Sequence, residues 1–61
     1  MKNRIKERRT ELGMSQEQLA QASGIGRSTI SEIEAGKHAP TVDVALSIAR
    51  ALGKSVEELF G

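Results

Sequence analysis

The sequence predicts an all-α domain, a compact bundle of five short helices. Apolar residues recur at three- and four-residue spacing, and no segment alternates as a strand would. With a single aromatic residue, the interior must be built from Leu, Ile, Val, Ala and Met, a palette that suits helices packed on helices. Hydroxyl caps and glycine stops then cut the chain into five segments.

The first segment, about residues 2–12, puts Ile5 and Leu12 on one face and stops at Gly13. The second begins after Ser15, where Ser15-Gln16-Glu17-Gln18 fits a capping box: the hydroxyl takes a free backbone N–H and Gln18 reaches back. It ends at Gly24. A third helix starts near Arg27, turns Ile30 and Ile33 inward and stops at Gly36, with Pro40 marking the next boundary. The fourth runs from about Val42 to Leu52 behind Thr41, with Val42, Ala45, Leu46, Ile48, Ala49 and Leu52 at helical spacing and Gly53 as its end. A second capping box, Ser55-Val56-Glu57-Glu58, opens a terminal turn in which Val56, Leu59 and Phe60 close the core.

At 61 residues, positions 1–61 form one domain near the lower limit for an unassisted core. The chain has no cysteine, so neither disulfides nor a thiolate metal site can supplement that core. One histidine and no phosphate-binding loop leave no grouping for catalysis, a metal or a cofactor, and an enzyme is the remotest reading. No apolar run approaches the roughly 18 residues of a transmembrane helix, which makes a soluble cytoplasmic protein the expectation. Net charge is only +1, but Lys2, Arg4, Lys6, Arg8 and Arg9 outweigh Glu7 and Glu11 in the first segment. This basic end could lie along phosphates or be a solvated face laced with opposite charges.

Segments two and three, broken at Gly24, read as a helix-turn-helix. Ala20 lies where the helices cross and must be small. Gly24 sits where the chain turns sharply, a left-handed position that glycine adopts at little cost. In such a unit the second helix can lie in the major groove of DNA. At about 100° per residue, pointing Ile30 and Ile33 inward puts Ser28, Ser31, Glu32 and Ala35 on the outer face and Arg27 on its flank. A guanidinium at Arg27 could bond O6 and N7 of guanine, or clamp a phosphate. Ser28 could meet a base edge or a phosphate, and Glu32 could accept from cytosine N4 or brace Arg27.

The chain resembles the Cro and phage-repressor type of helix-turn-helix domain, the XRE family. The residues that carry the resemblance are Leu12-Gly13-Met14-Ser15-Gln16, Gln18-Leu19-Ala20, Gly24-Ile25, Ser28-Thr29-Ile30-Ser31, Ile33-Glu34-Ala35-Gly36-Lys37, Pro40 and Ile48-Ala49-Arg50-Ala51-Leu52-Gly53. It implies the phage-repressor five-helix fold, binding of double-stranded operator DNA and regulation of transcription, commonly repression. Carried onto this sequence, its base-reading positions are Arg27, Ser28, Ser31 and Glu32. Gln16 resembles the family's phosphate anchor and Lys37 a second one, with Thr29 and His38 as weaker phosphate contacts; the bland alternatives are a solvated Gln16, a Lys37 that only favours its helix end, and a surface His38. The resemblance also implies an ion pair between Arg9 and Glu34, the latter placed beside the buried stripe by the wheel; the competing role for Arg9 is a phosphate. Two departures stand out: Gly26 replaces a serine or threonine cap, and Arg8 occupies a common leucine position, where its stem can cover the core while its charge reaches solvent.

Family habit and affinity both imply a homodimer, since two modules about a two-fold axis read half-sites about 34 Å apart on a palindromic operator. Residues after Gly53, with Val56, Glu57 and Phe60, are the candidate interface, against a role in closing the monomer core. The alternative function is a protein-interaction module, such as an antitoxin-type or partner-dependent regulator.

Overall fold

A computed structural model describes residues 2–61. Five helices follow in order, α1 (Ile5–Glu11), α2 (Gln16–Ser23), α3 (Arg27–Glu34), α4 (Val42–Leu52) and α5 (Val56–Phe60), with no strand among the described residues. α4 is the hub, packed against α1, α2 and α5, while α3 leans chiefly on α2. One face of α3 is therefore left without a helix over it.

The core is aliphatic. Ile5, Leu19, Ile30, Ile33, Ile48, Ala49, Leu52 and Leu59 form one buried cluster, with Met14, Ala20, Ile25, Val44, Ala51, Val56 and Phe60 packed around it. Every helix contributes at least one of the eight, so no helix is stable apart from the others. Both capping boxes form: Ser15 Oγ accepts from Gln18 N at 3.0 Å while Gln18 Oε1 accepts from Ser15 N at 2.7 Å. Ser55 and Glu58 repeat the pattern at 3.1 and 2.9 Å. The Ser55 backbone N–H, then its hydroxyl, hold the Glu58 carboxyl below the usual carboxylate range, since both bond the charged form.

Two expectations about this frame are corrected. α1 starts at Ile5 rather than near residue 2, because residues 3 and 4 serve as a strap: Arg4 N donates to the Leu59 carbonyl at 2.9 Å and Asn3 Oδ1 accepts from Ile5 N at 3.2 Å. Leu12 does not share the buried face of Ile5 and stays 44% exposed. The helix closes there, with Gly13 N on Thr10 O and Met14 N on Arg9 O, and Met14 is the side chain that folds back onto the core. On α4 the apolar stripe is wider than the buried one: Ala45, Ile48, Ala49 and Leu52 are inside, whereas Val42 is 75% exposed and Leu46 is also exposed.

Arg8 is not simply a snorkelling cation. Its Nε donates to the Leu52 carbonyl at 2.8 Å, satisfying a carbonyl at the end of α4, and its Nη1 meets Glu11 at 3.3 Å. A leucine there could cover the core but not that carbonyl.

Truncating the hub should show how narrow the margin is. Ile48→Ala, at a fully buried site, is expected to lose about 2–5 kcal/mol in urea unfolding, most of the stability of a domain this small. Leu46→Ala, at an exposed site, is expected to lose less than about 1 kcal/mol.

Candidate nucleic-acid interface

α2 and α3 meet at a turn whose conformation is set by Gly24, at φ 74°. Its N–H closes α2 on the Ala20 carbonyl at 2.9 Å. The Ser23 hydroxyl donates to the Leu19 carbonyl at 2.7 Å and accepts from Ile25 N at 3.3 Å, which bridges the corner. Gly26 then enters α3 in an extended conformation without a side-chain cap. No side chain therefore competes for the N–H groups of the first turn of α3, beside which Arg27 stands.

Burial of Ile30 and Ile33 fixes the rotation of α3 about its axis. Arg27, Ser28, Ser31 and Glu32 are consequently exposed, and together they line one shallow depression on the outer surface. The structure thus brings together Ser28, Ser31 and Glu32, which the helical wheel placed outward, with the flanking Arg27, while Ala35, also expected outward, is exposed but does not line the depression. The exposed Arg27 side chain makes no hydrogen bond or ion pair among the described residues, so its five donors are unspent. Glu32 does not brace it: the nearest partner of the Glu32 carboxylate is His38 Nε2 at 3.4 Å.

Of the four positions assigned to phosphate, Lys37 and His38 are exposed in the loop after α3, and Thr29 is half-buried. Gln16 is also half-buried, for a reason the sequence hid. Its Nε2 donates to Glu34 Oε1 at 3.2 Å, which leaves one amide proton and the amide oxygen for an outside partner.

Glu34 is the meeting point of three helices. Arg9 approaches it side-on, Nε to Oε2 at 2.9 Å and Nη2 to Oε1 at 3.1 Å, while Nη1 donates to the Met14 carbonyl at 2.7 Å. The side chains of Arg9 and Glu34 are 12% and 5% exposed, so this is a forked ion pair largely withdrawn from water, with Gln16 as a third member. Arg9 and Glu34 are paired, and three of the five guanidinium N–H donors go to Glu34 and Met14. No buried side-chain nitrogen or oxygen lacks a partner among the described residues.

Sequence reasoning missed Asn3. Its Nδ2 donates to the Ile33 carbonyl at 2.7 Å, so the end of α3 is held by Asn3 as well as by Arg9. Asparagine just before a helix is a recognisable capping signal, and its oxygen does serve Ile5 N. Nothing local announces a partner thirty residues away.

Comparisons with known proteins agree with this geometry. The family model described as helix-turn-helix matches residues 5–59. An HTH-type transcriptional regulator of Methanothermobacter thermautotrophicus is 44% identical over 61 residues, 98% of this chain and 88% of that protein. The HTH-type transcriptional regulator YgzD of Bacillus subtilis is 40% identical over 98% of this chain and 91% of its own length. Among solved structures, the restriction-modification controller protein C.AhdI of Aeromonas hydrophila superposes with a TM-score of 0.87 at 40% identity, over 93% of this chain and 86% of that one.

The forked pair yields a prediction of its own. Glu34→Ala strands a buried guanidinium and is expected to cost about 3–5 kcal/mol in chemical denaturation. Arg9→Met combined with Glu34→Leu is expected to recover most of that loss, a coupling read directly from a double-mutant cycle.

Proposed function

This chain belongs to the helix-turn-helix family, and from that premise we propose that it is a sequence-specific double-stranded DNA-binding transcriptional regulator, a cytoplasmic repressor that reads a palindromic operator. The observation that carries the reading is the outer face of α3: four polar side chains, exposed together, on a helix held rigid by Ile30, Ile33 and Glu34. The helix can enter a major groove without moving any other part of the fold.

Arg27 is the guanine reader, because an unpaired guanidinium at the leading end of α3 can bond O6 and N7 together. Ser28 and Ser31 contact neighbouring base edges, and Glu32 faces the same groove. The remaining amide proton of Gln16, with Thr29 and Lys37, holds the sugar-phosphate backbone and fixes the docking register, while the His38 ring is engaged with Glu32. Base readers and backbone holders thus lie on the two helices of one unit and the loop that follows α3.

The regulator acts as a homodimer, and its contact surface is the groove between α4 and α5. Pro40, Thr41, Val42, Ala45, Leu46, Val56 and Phe60 line a groove of about 370 Å³ that is almost wholly apolar. Val56 and Phe60 serve both sides, packing on the core while lining the groove. Glu57 is exposed and is not among its lining residues. A second copy docked here joins two reading helices, and covering Val42 and Leu46 supplies the apolar burial that an association needs.

Selection of bound duplexes from a random pool tests the assignment of readers. Arg27→Ala is expected to relax the preference at one base-pair position in each half-site, by about 1–3 kcal/mol of discrimination. Lys37→Ala is expected to weaken all sequences alike and make the salt dependence shallower by about one counterion. A uniform, sequence-independent loss for Arg27→Ala overturns its role as a reader. Leu46→Glu is expected to give monomers in analytical ultracentrifugation with an unchanged helical spectrum; dimers that persist would reject the α4–α5 interface.

A further inference from the structure

The loop that follows α3 returns to the reading face. Gly36 N and Lys37 N donate to the carbonyls of Ile33 and Glu32, each at 3.0 Å, so the chain doubles back over the last turn of the helix. That reversal sets His38 beside Glu32, Nε2 to Oε1 at 3.4 Å, with both side chains about half exposed. Apart from a marginal 3.5 Å approach of His38 Nδ1 to the Ala39 carbonyl, each ring or carboxylate finds its only described side-chain partner in the other. Arg27 shares the depression with Glu32, and Lys37 adjoins His38 in the loop; these are the other charges of this face.

A carboxylate on a reading helix is a liability, since it approaches the phosphates with its charge intact unless something offsets it. We propose that His38 is the positioning residue for Glu32: its imidazolium offsets the Glu32 carboxylate at the DNA surface, and the pair makes operator affinity depend on pH. The inference rests on the reading of α3 given above. Imidazoles change charge between about pH 5 and 8, so the effect falls in an accessible range. The sign follows from the charges. With the ring protonated, the pair is neutral as a unit and Glu32 approaches the duplex without net repulsion. With the ring neutral, the carboxylate charge is exposed to the phosphates and affinity falls. His38 could instead act on a phosphate directly, and that gives the same sign in the wild-type protein. Glu32 separates the two routes.

The experiment is a fluorescence-anisotropy titration of the selected duplex, at constant ionic strength from pH 5.5 to 8.0, with the wild-type chain, His38→Gln, Glu32→Gln and the double variant. Both substituted residues are exposed, and thermal unfolding at each pH checks that the fold is retained. Wild-type affinity is expected to rise about two- to fivefold on acidification, the span of an exposed charge pair. Glu32→Gln is expected to bind more tightly than wild type, by a larger factor at pH 8.0 than at pH 5.5 because the protonated ring already offsets the carboxylate at low pH, and so to show a weaker pH dependence; His38→Gln is expected to be flat with pH. A pH dependence that is undiminished in Glu32→Gln assigns His38 to a phosphate and overturns the proposal. So does a wild-type affinity that is flat across the range. A chain that selects no duplex at any pH overturns the reading of α3 itself, and this inference with it, which distinguishes the two failures.

Discussion

The carboxylate of Glu34 ties three helices together at one point. Arg9 from α1 grips it through two nitrogens, Gln16 from α2 adds a third hydrogen bond, and Glu34 itself ends α3. An ion pair this withdrawn from water contributes little net stability when compared with a well-packed apolar substitute. Its value is directional. A hydrophobic stripe tolerates small rotations and sliding, whereas a forked guanidinium–carboxylate pair has one good geometry. With Ile30 and Ile33 setting the rotation of α3 and Glu34 setting its far end, the outer face of that helix is presented at a fixed angle.

The remaining polar contacts solve the problem that five short helices pose, which is the number of helix ends. Each end leaves backbone groups without intrahelical partners, and short helices have a high proportion of them. Ser15, Thr41 and Ser55 cap the starts of α2, α4 and α5; Arg8 and Asn3 satisfy carbonyls at the ends of α4 and α3. Neither α1 nor α3 has a side-chain cap from its N-cap residue, but Asn3 Oδ1 accepts from Ile5 N at the start of α1, whereas the start of α3 is served by no side chain. Its first turn is therefore the place where the fold leaves donors for something outside itself, at the same end where Arg27 stands unpaired.

The apolar surface is divided in a related way. α4 has more apolar positions than the core can cover, and the surplus, Val42 and Leu46, borders a groove that continues onto Val56 and Phe60 of α5. The outer face of α3 is polar and this groove is almost entirely apolar, so the two surfaces suit different kinds of contact.

Much of this was legible because it is local. Periodicity located the helices, serine and glycine marked their ends, and a wheel anchored on Ile30 and Ile33 was enough to place Ser28, Ser31 and Glu32 outward. Those signals arise within one or two turns of chain, where spacing alone dictates direction. Tertiary structure decided everything that depends on what lies opposite. It turned residues 3 and 4 into a strap, left Leu12 at the rim while Met14 took the inner position, drew Gln16 toward Glu34 and gave Glu32 to His38 rather than Arg27. Each of these outcomes depends on how the chain reverses between elements or on a group far away in sequence, and side-chain period carries no information about either.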